Sequence, residues 1–218
     1  MAQLFPRWAN TAVRAAIVFG AAGLGAAPVA LLAFARSPTA TGQYRHVTQP
    51  VPFSHPVHVN AMHIDCRYCH AGAERAAMAG IAPTKACVEC HEPKWIKSRQ
   101  FAPVRLSLSR STPIPWRRVN SIADFVFFNH AAHTRKGIGC ETCHGRVDLM
   151  NQVYQTAPLT MGWCIACHTA PEKSIRPVNQ ITAMGWTPPR EVDQDSLGRA
   201  LVAQYHVRSV TTCTGCHR

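Results

Sequence analysis

One five-residue pattern, Cys-x-x-Cys-His, occurs five times in the chain and uses all ten of its cysteines. The copies, numbered motifs 1 to 5, are CRYCH (66–70), CVECH (87–91), CETCH (140–144), CIACH (164–168) and CTGCH (213–217). This spacing attaches c-type haem, because the two thiols form thioethers to one edge of the macrocycle and the histidine lies under the iron. One copy would equally suit a zinc half-site or a redox dithiol. Five copies with no cysteine left over indicate five covalently bound haem c groups.

The motifs assign the attachment residues and proximal ligands one by one. The thioether-forming cysteines are Cys66, Cys69, Cys87, Cys90, Cys140, Cys143, Cys164, Cys167, Cys213 and Cys216. The proximal iron ligands are His70, His91, His144, His168 and His217. Multihaem reductases often carry an altered motif with lysine in place of the histidine, and no motif here is altered. The sequence therefore favours electron-transfer haems, and we predict no catalytic residue.

A doubled unit, Phe-x-His-x-x-His, precedes motifs 1 and 3. The two copies, at residues 53–58 and 128–133, lie 75 residues apart, and a second attachment motif follows each pair of unit and motif. Histidines three apart share one face of a helical turn and can serve two neighbouring haems. We therefore predict four distal ligands: His55, His58, His130 and His133. For His46 and His63, which have no repeat partner, we expect a surface or hydrogen-bonding role.

The fifth distal ligand is left open by the sequence. Met150, Met161 and His206 are the candidates, since the two methionines flank motifs 3 and 4 and the histidine lies seven residues before Cys213. A thioether would raise the reduction potential above that of a haem with two histidine ligands. Each methionine would otherwise be an ordinary core residue.

The composition leaves little peptide for an ordinary hydrophobic core. The chain of 218 residues has 13 Gly and 16 Pro, and only 8% of it is aromatic. Beyond the N-terminal segment roughly 36 residues accompany each motif, too few to enclose a core of their own. We therefore predict a mainly α-helical fold with much irregular loop, in which the haems form the core.

The formal net charge of +12 does not indicate a nucleic-acid partner. The basic residues are scattered and no recognition motif is present. Five haems would bring about ten propionate charges, which can neutralise much of the excess.

The N-terminal segment predicts a membrane anchor. Residues 15–35 carry no charge, and Arg14 and Arg36 flank them. The run is long enough to span a bilayer, and the alternative is an export signal cleaved before Thr41. Haem c is attached outside the bacterial cytoplasm, so we expect a single pass through the inner membrane with the haem domain in the periplasm. The predicted domains are residues 1–40 (anchor) and 41–218, with two-haem repeats at about 50–100 and 125–175 and the fifth haem at 205–218.

The connecting segments give weaker predictions. Residues 101–121 carry three prolines and read as irregular. Residues 122–128 are apolar enough for a short strand or a buried extended segment. A short helix is expected over residues 197–205, ahead of motif 5.

The Phe-x-His-x-x-His units with their downstream motifs resemble class III (cytochrome c3) and cytochrome c7-like multihaem proteins. Further segments narrow the resemblance: 64–70 (IDCRYCH), 113–116 (PIPW), 145–148 (GRVD), 154–155 (YQ), 161–164 (MGWC) and 216–218 (CHR). With five motifs and one anchor, the chain resembles the pentahaem cytochrome c subunit of bacterial alternative complex III over essentially its whole length. His63 and residues 187–200 depart from the family pattern.

That resemblance implies an electron-transfer subunit of a membrane complex that oxidises quinol, not catalytic alone. The implied partners are an iron–sulfur protein, polytopic membrane subunits and a monohaem cytochrome c, with a periplasmic cytochrome or an oxidase as acceptor. Two alternatives remain: a multihaem reductase with an open haem site, and a standalone membrane-anchored quinol dehydrogenase cytochrome.

Overall fold

The computed structural model describes residues 4–91 and 97–217. The chain divides into two compact units, Met1–Gly42 and Gln43–Arg218. Residues 92–96 of the first predicted two-haem repeat lie outside the described residues, as does Arg218 of the CHR segment.

The N-terminal unit is dominated by one apolar helix. Helix α1 (Ala9–Ala35) has 27 residues, none of them buried within the unit. At 1.5 Å per residue it is about 40 Å long, more than the ~30 Å hydrocarbon core of a bilayer. Its length and composition suit a membrane span, and an export signal near an N-terminus meets the same criteria. A short helix, α2 (Pro38–Thr41), follows and is capped by the Ser37 hydroxyl.

The second unit consists of short helices joined by irregular segments. They are a π-helix (Pro56–Ala61), α3 (Cys66–Cys69), α4 (Thr84–Cys90), α5 (Ala102–Arg110), α6 (His130–Thr134), α7 (Cys140–His144), α8 (Met161–Thr169), α9 (Gln194–Gln204) and α10 (Cys213–Cys216). Turns of 3₁₀-helix lie at Arg99–Phe101, Val147–Leu149, Pro171–Lys173 and Val178–Gln180. Across the described residues, isolated bridges pair Val126 with His217 and Ile138 with Ile175, without a sheet. The predicted mainly helical, loop-rich fold is confirmed.

The peptide core of this unit is small. Among the described residues the buried hydrophobic side chains are Val104, Ile114, Ala131, Met150, Ala157, Ile175, Ile181 and Leu201. A folded domain of this size would normally bury many more large apolar side chains. The short core agrees with a fold whose interior is completed by a bound group.

Helix α9 is fixed against the turn at Pro171–Lys173. Asp193 caps the helix by accepting a hydrogen bond from the Ser196 N–H at 2.9 Å. The side-chain amide of Gln194 donates to the Glu172 carbonyl, also at 2.9 Å. A Cβ on Gly198 would overlap the carbonyl oxygen of Glu172, so only glycine allows this close approach.

Three local predictions need correction. Residues 102–110 are helical, not irregular, because Pro103 occupies the first turn of α5, where proline is well tolerated. The segment 122–128 bridges motif 5 at Val126 without being buried, since Phe125 and Phe127 are exposed. Helix α9 begins at Gln194, three residues before the predicted start, because Asp193 caps it.

Candidate haem-attachment and axial-ligand sites

Each attachment motif forms one turn of helix, and this turn explains its spacing. In motifs 1, 2 and 5 the N–H of the histidine donates to the carbonyl of the first cysteine, at 2.8, 3.0 and 2.9 Å. Residues three apart on such a turn face the same way. Both thiols of a motif are therefore presented to one edge of a bound group, and the imidazole follows directly.

The environment of the thiols fits thioether attachment better than redox or zinc chemistry. All ten cysteines are free. Burial raises the pKa of the Cys143 thiol to about 12 and also raises the pKa values of Cys69, Cys87 and Cys164. Redox dithiols and metal-binding cysteines need thiol pKa values lowered towards the thiolate form. The pKa shifts of Cys69, Cys87, Cys143 and Cys164 have the opposite direction, whereas the neighbouring Cys140 side chain lowers the pKa of Cys66.

Three predicted distal histidines face proximal histidines across a gap of constant width. The ring centroids are 6.0 Å apart for His58 and His91, 6.4 Å for His130 and His144, and 6.0 Å for His133 and His168. An imidazole nitrogen binds a metal at about 2 Å, so two imidazoles sharing one metal have centroids roughly 6 Å apart. The spacing of all three pairs fits one iron between the rings.

The fourth predicted distal ligand, His55, lies beside His70. Burial, together with the nearby imidazoles of His70 and His58, lowers the pKa of His55 to about 4. Its Nδ1 is buried and has no hydrogen-bond partner among the described residues. The structure thus brings the two histidines of the first Phe-x-His-x-x-His unit to motifs 1 and 2, and those of the second to motifs 3 and 4.

The Nδ1 atoms of four of these histidines are held by backbone carbonyls, which leaves Nε2 for a metal. The N–H at Nδ1 donates from His58 to Ser54, from His70 to Gly80, from His130 to Ala77 and from His133 to Asn129, at 2.7–2.9 Å. A hydrogen bond at one ring nitrogen fixes the tautomer and the ring orientation and makes the other nitrogen a better ligand. These carbonyls therefore prepare the imidazoles for iron.

The phenylalanine of each repeat unit supports both of its histidines. The ring of Phe53 stacks on His58 at 4.2 Å and meets His55 edge-on at 4.9 Å. Phe128 does the same for His133 at 4.5 Å and His130 at 4.8 Å. From the sequence the two phenylalanines were recognised as part of the repeat, but their packing against the histidines was not predicted. Their fixed spacing from the histidines was the signal that they have a shared structural task.

Motif 5 has a different environment. The ring of His217 lies 5.6 Å from that of Phe125, and its Nδ1 is 3.4 Å from the Phe125 carbonyl oxygen. Of the candidate distal ligands, Met150 is buried. Met161 begins α8 and is 70% exposed, and His206 is exposed directly after α9. The assignment of the fifth distal ligand among these three stays a prediction.

Motif 1 lies between motifs 2 and 3. The hydroxyl of Tyr68, inside motif 1, donates to the Glu89 carboxylate, inside motif 2, at 2.9 Å. On the other side, the Cys140 N–H donates to Ile181, and the hydroxyl of the next residue, Thr182, donates to Asp65, which precedes Cys66. The side chains of Cys66 and Cys140 lie next to each other.

A second set of bonds ties the two repeat units together. The segment after motif 1 lies on α6, the helix that carries the distal histidines for motifs 3 and 4. The N–H groups of His130 and Ala131 donate to Ala77 and Ala76 at 3.1 Å, and the Thr134 hydroxyl donates to Ala73 at 2.9 Å.

Motif 5 joins the series at motif 4. The Ser209 hydroxyl, four residues before Cys213, donates to the carbonyl of His168. The N–H of Phe127 donates to the Cys216 carbonyl at 2.9 Å, and the adjacent Phe128 stacks on His133, which faces His168. The pKa of Cys164 is raised first by burial and then by electrostatic repulsion from the nearby Cys216 thiolate. Motifs 3 and 4 are linked by α6, whose His130 and His133 face His144 and His168. Together these contacts give the spatial order of the motifs as 2, 1, 3, 4, 5.

A buried ion pair supports motif 3 from behind, and no sequence pattern predicts it. The guanidinium of Arg176 lies 2.8 Å from the carboxylate of Glu141, the second residue of the motif, and both side chains are largely buried. The same carboxylate accepts the Gly185 N–H at 2.5 Å, and Arg176 stacks over the Trp186 ring at 5.0 Å.

The sequence is similar to those of known multihaem proteins. The chain is 35% identical over 102 residues to the menaquinone reductase multihaem cytochrome c subunit of Nitratidesulfovibrio vulgaris (strain Hildenborough). The matched region is 46% of this chain and 48% of that protein, so the similarity spans about half the length of each. Residues 51–102 and 126–218 match the family model of cytochrome c7 and related cytochrome c, which covers both repeat units and motif 5. The chain belongs to this family of multihaem cytochromes c, which bind their haem covalently.

Proposed function

We propose that this chain is the electron-transfer subunit of a membrane quinol-linked oxidoreductase and carries five haem c groups. The observation that supports this best is the constant gap of about 6 Å between opposed imidazoles, with Nδ1 held by a carbonyl on at least one side of each. When bound, each haem iron supplies one-electron oxidation and reduction. The residues of the chain hold the groups in place and fill the axial positions.

Filled axial positions favour electron transfer over substrate reduction. In motifs 2, 3 and 4 a histidine from a repeat unit lies opposite the proximal histidine, and in motif 1 His55 lies beside it. With these histidines as distal ligands, a small oxyanion has no free coordination position at the four haems. The alternative of a reductase with an open haem would therefore depend on motif 5, whose distal ligand is unassigned.

The order of the motifs gives the series of haems two ends. Motif 1 contacts motifs 2 and 3, and motif 5 contacts motif 4. In the series 2, 1, 3, 4, 5 the two ends are motif 2 and motif 5. We propose that electrons enter at one of these ends and leave at the other, and that the Cys66–Cys140 contact is the connection between the two repeat units.

The membrane context rests on α1 and on two likenesses. Helix α1 has the length and composition for a single pass. We propose that it anchors the haem domain on the periplasmic side of a bacterial inner membrane. The relative in N. vulgaris is by name a subunit of a menaquinone reductase, and the sequence resembles the pentahaem subunit of alternative complex III. Both likenesses support a complex that transfers electrons to or from a quinone. The proposed partners are an iron–sulfur protein, polytopic membrane subunits and a monohaem cytochrome c.

The test is purification from native membranes in mild detergent, with haem c counted per chain and subunits identified by mass spectrometry. We expect five haems, low-spin spectra for motifs 1 to 4, reduction of the haems by added menaquinol, and several co-purifying integral membrane subunits. A stoichiometric high-spin haem that binds nitrite or hydroxylamine would contradict electron transfer as the sole role. A monodisperse monomer with full quinol dehydrogenase activity would contradict the complex.

A further inference from the structure

The proximal histidine of motif 3 has a side-chain partner at Nδ1, unlike His70 in motif 1. The carboxamide nitrogen Nδ2 of Asn120 lies 3.0 Å from Nδ1 of His144. The carboxamide oxygen Oδ1 is buried and has no hydrogen-bond partner among the described residues. The backbone here is fixed, since the Ser121 N–H donates to the buried side chain of Gln155 at 3.1 Å.

This arrangement decides which end of the amide belongs at His144. The Nε2 atom of a ligating imidazole must offer its lone pair to iron, so the ring proton sits on Nδ1. The Nδ1–H must then donate, and an amide NH₂ group facing it offers no acceptor. The acceptor within reach is Oδ1, brought there by turning the amide end for end.

We propose that Asn120 is a positioning residue whose Oδ1 accepts the Nδ1–H of His144 and sets the reduction potential at motif 3. This inference rests on the proposed haem at motif 3 but not on the membrane complex or its substrate. A stronger acceptor gives the imidazole more anionic character and stabilises the oxidised iron, which lowers the potential. A backbone carbonyl cannot be altered by substitution of its residue. Because the partner of His144 is a side chain, substitution of Asn120 can change the reduction potential at motif 3, the middle motif of the series.

The variants Asn120→Asp and Asn120→Leu test this in the purified, haem-loaded protein. Both are close to asparagine in size, and they strengthen and remove the acceptor, respectively. Asn179→Asp is the control, because it makes the same chemical change at an exposed position on the turn before Ile181, where water screens the added charge. Redox titration followed by optical and electron paramagnetic resonance (EPR) spectra gives the midpoint potential of each haem. The nearly parallel rings of His130 and His144, 2° apart, identify the motif 3 signal.

Asn120→Asp should shift the reduced-to-oxidised ratio at motif 3 about tenfold towards the oxidised form, or ~59 mV for one electron. Asn120→Leu should shift the same haem in the opposite direction, and Asn179→Asp should shift none. The proposal is overturned if both Asn120 variants keep the native potentials, shift in the same direction, or change a haem other than that of motif 3. Haem content and spin state of the variants report separately on the proposed function, because a missing or high-spin haem would appear there first.

Discussion

Removing the carboxylate of Glu141 should strongly destabilise the haem domain. The side chains of Arg176 and Glu141 are 8% and 13% exposed, and their charged groups are 2.8 Å apart. Glu141→Gln keeps the size of the side chain and an oxygen for the Gly185 N–H. It leaves the guanidinium of Arg176 buried without a counter-charge, beside the Trp186 ring.

The expected cost follows from burial. Removing one partner of a buried ion pair typically costs about 3–5 kcal/mol, because the remaining charge is left uncompensated. For a domain of this size, each kcal/mol lowers the melting temperature by about 2–4 °C, so a fall of roughly 6–20 °C is expected. The matched control is Glu74→Gln. Its carboxylate lies 3.4 Å from Arg67 with both side chains well exposed, and such pairs contribute about 0–1 kcal/mol.

Chemical denaturation of the haem-loaded protein, followed by far-UV circular dichroism and Soret absorbance, measures the difference. Replacing both charged partners, in Glu141→Gln/Arg176→Met, should recover part of the loss because no unpaired charge is then buried. The reasoning is refuted if Glu141→Gln costs no more than Glu74→Gln, or if the double variant is less stable than Glu141→Gln alone.

Three further predictions concern packing and ligation. Gly198→Ala should cost about 1–3 kcal/mol, since its Cβ would overlap the Glu172 carbonyl, whereas Gly162→Ala, with open space around it, should cost nothing measurable in thermal unfolding. His130→Ala should convert one haem to a high-spin form in absorbance and EPR spectra, and His46→Ala should leave all spectra unchanged; the opposite result would reassign the distal ligand. The motif 4 rings, 71° apart, should give a larger maximal g value in EPR than the motif 3 rings, 2° apart.

The parts of the site that local spacing controls were predictable from the sequence. A Cys-x-x-Cys-His turn brings its three side chains together through contacts within five residues, so no distant part of the chain is needed. The histidines of each Phe-x-His-x-x-His unit also lie on a single turn, and the structure places three of the four opposite proximal histidines at a metal-spanning distance and the fourth beside one.

Features that join distant segments were not predictable. Asn120 reaches His144, and Arg176 reaches Glu141, across 24 and 35 residues of chain, and neither residue belongs to a recognisable pattern. Helix α5 lies in a segment predicted to be irregular from its three prolines. Pro103 does not prevent the helix, because it occupies the first turn, where proline is tolerated.

The sequence by itself determined the chemistry of this protein: ten thiols and five histidines at fixed spacing, a doubled unit that offers distal ligands, and an apolar helix long enough for a membrane. Only the tertiary structure decided which histidines oppose each other, and that the motifs follow the order 2, 1, 3, 4, 5 in space. The physical reason is the range of the interactions. Helical turns are set by bonds between near neighbours, whereas the order of the motifs depends on hydrogen bonds between residues 21 to 117 positions apart, such as those from Tyr68 to Glu89 and from Thr182 to Asp65.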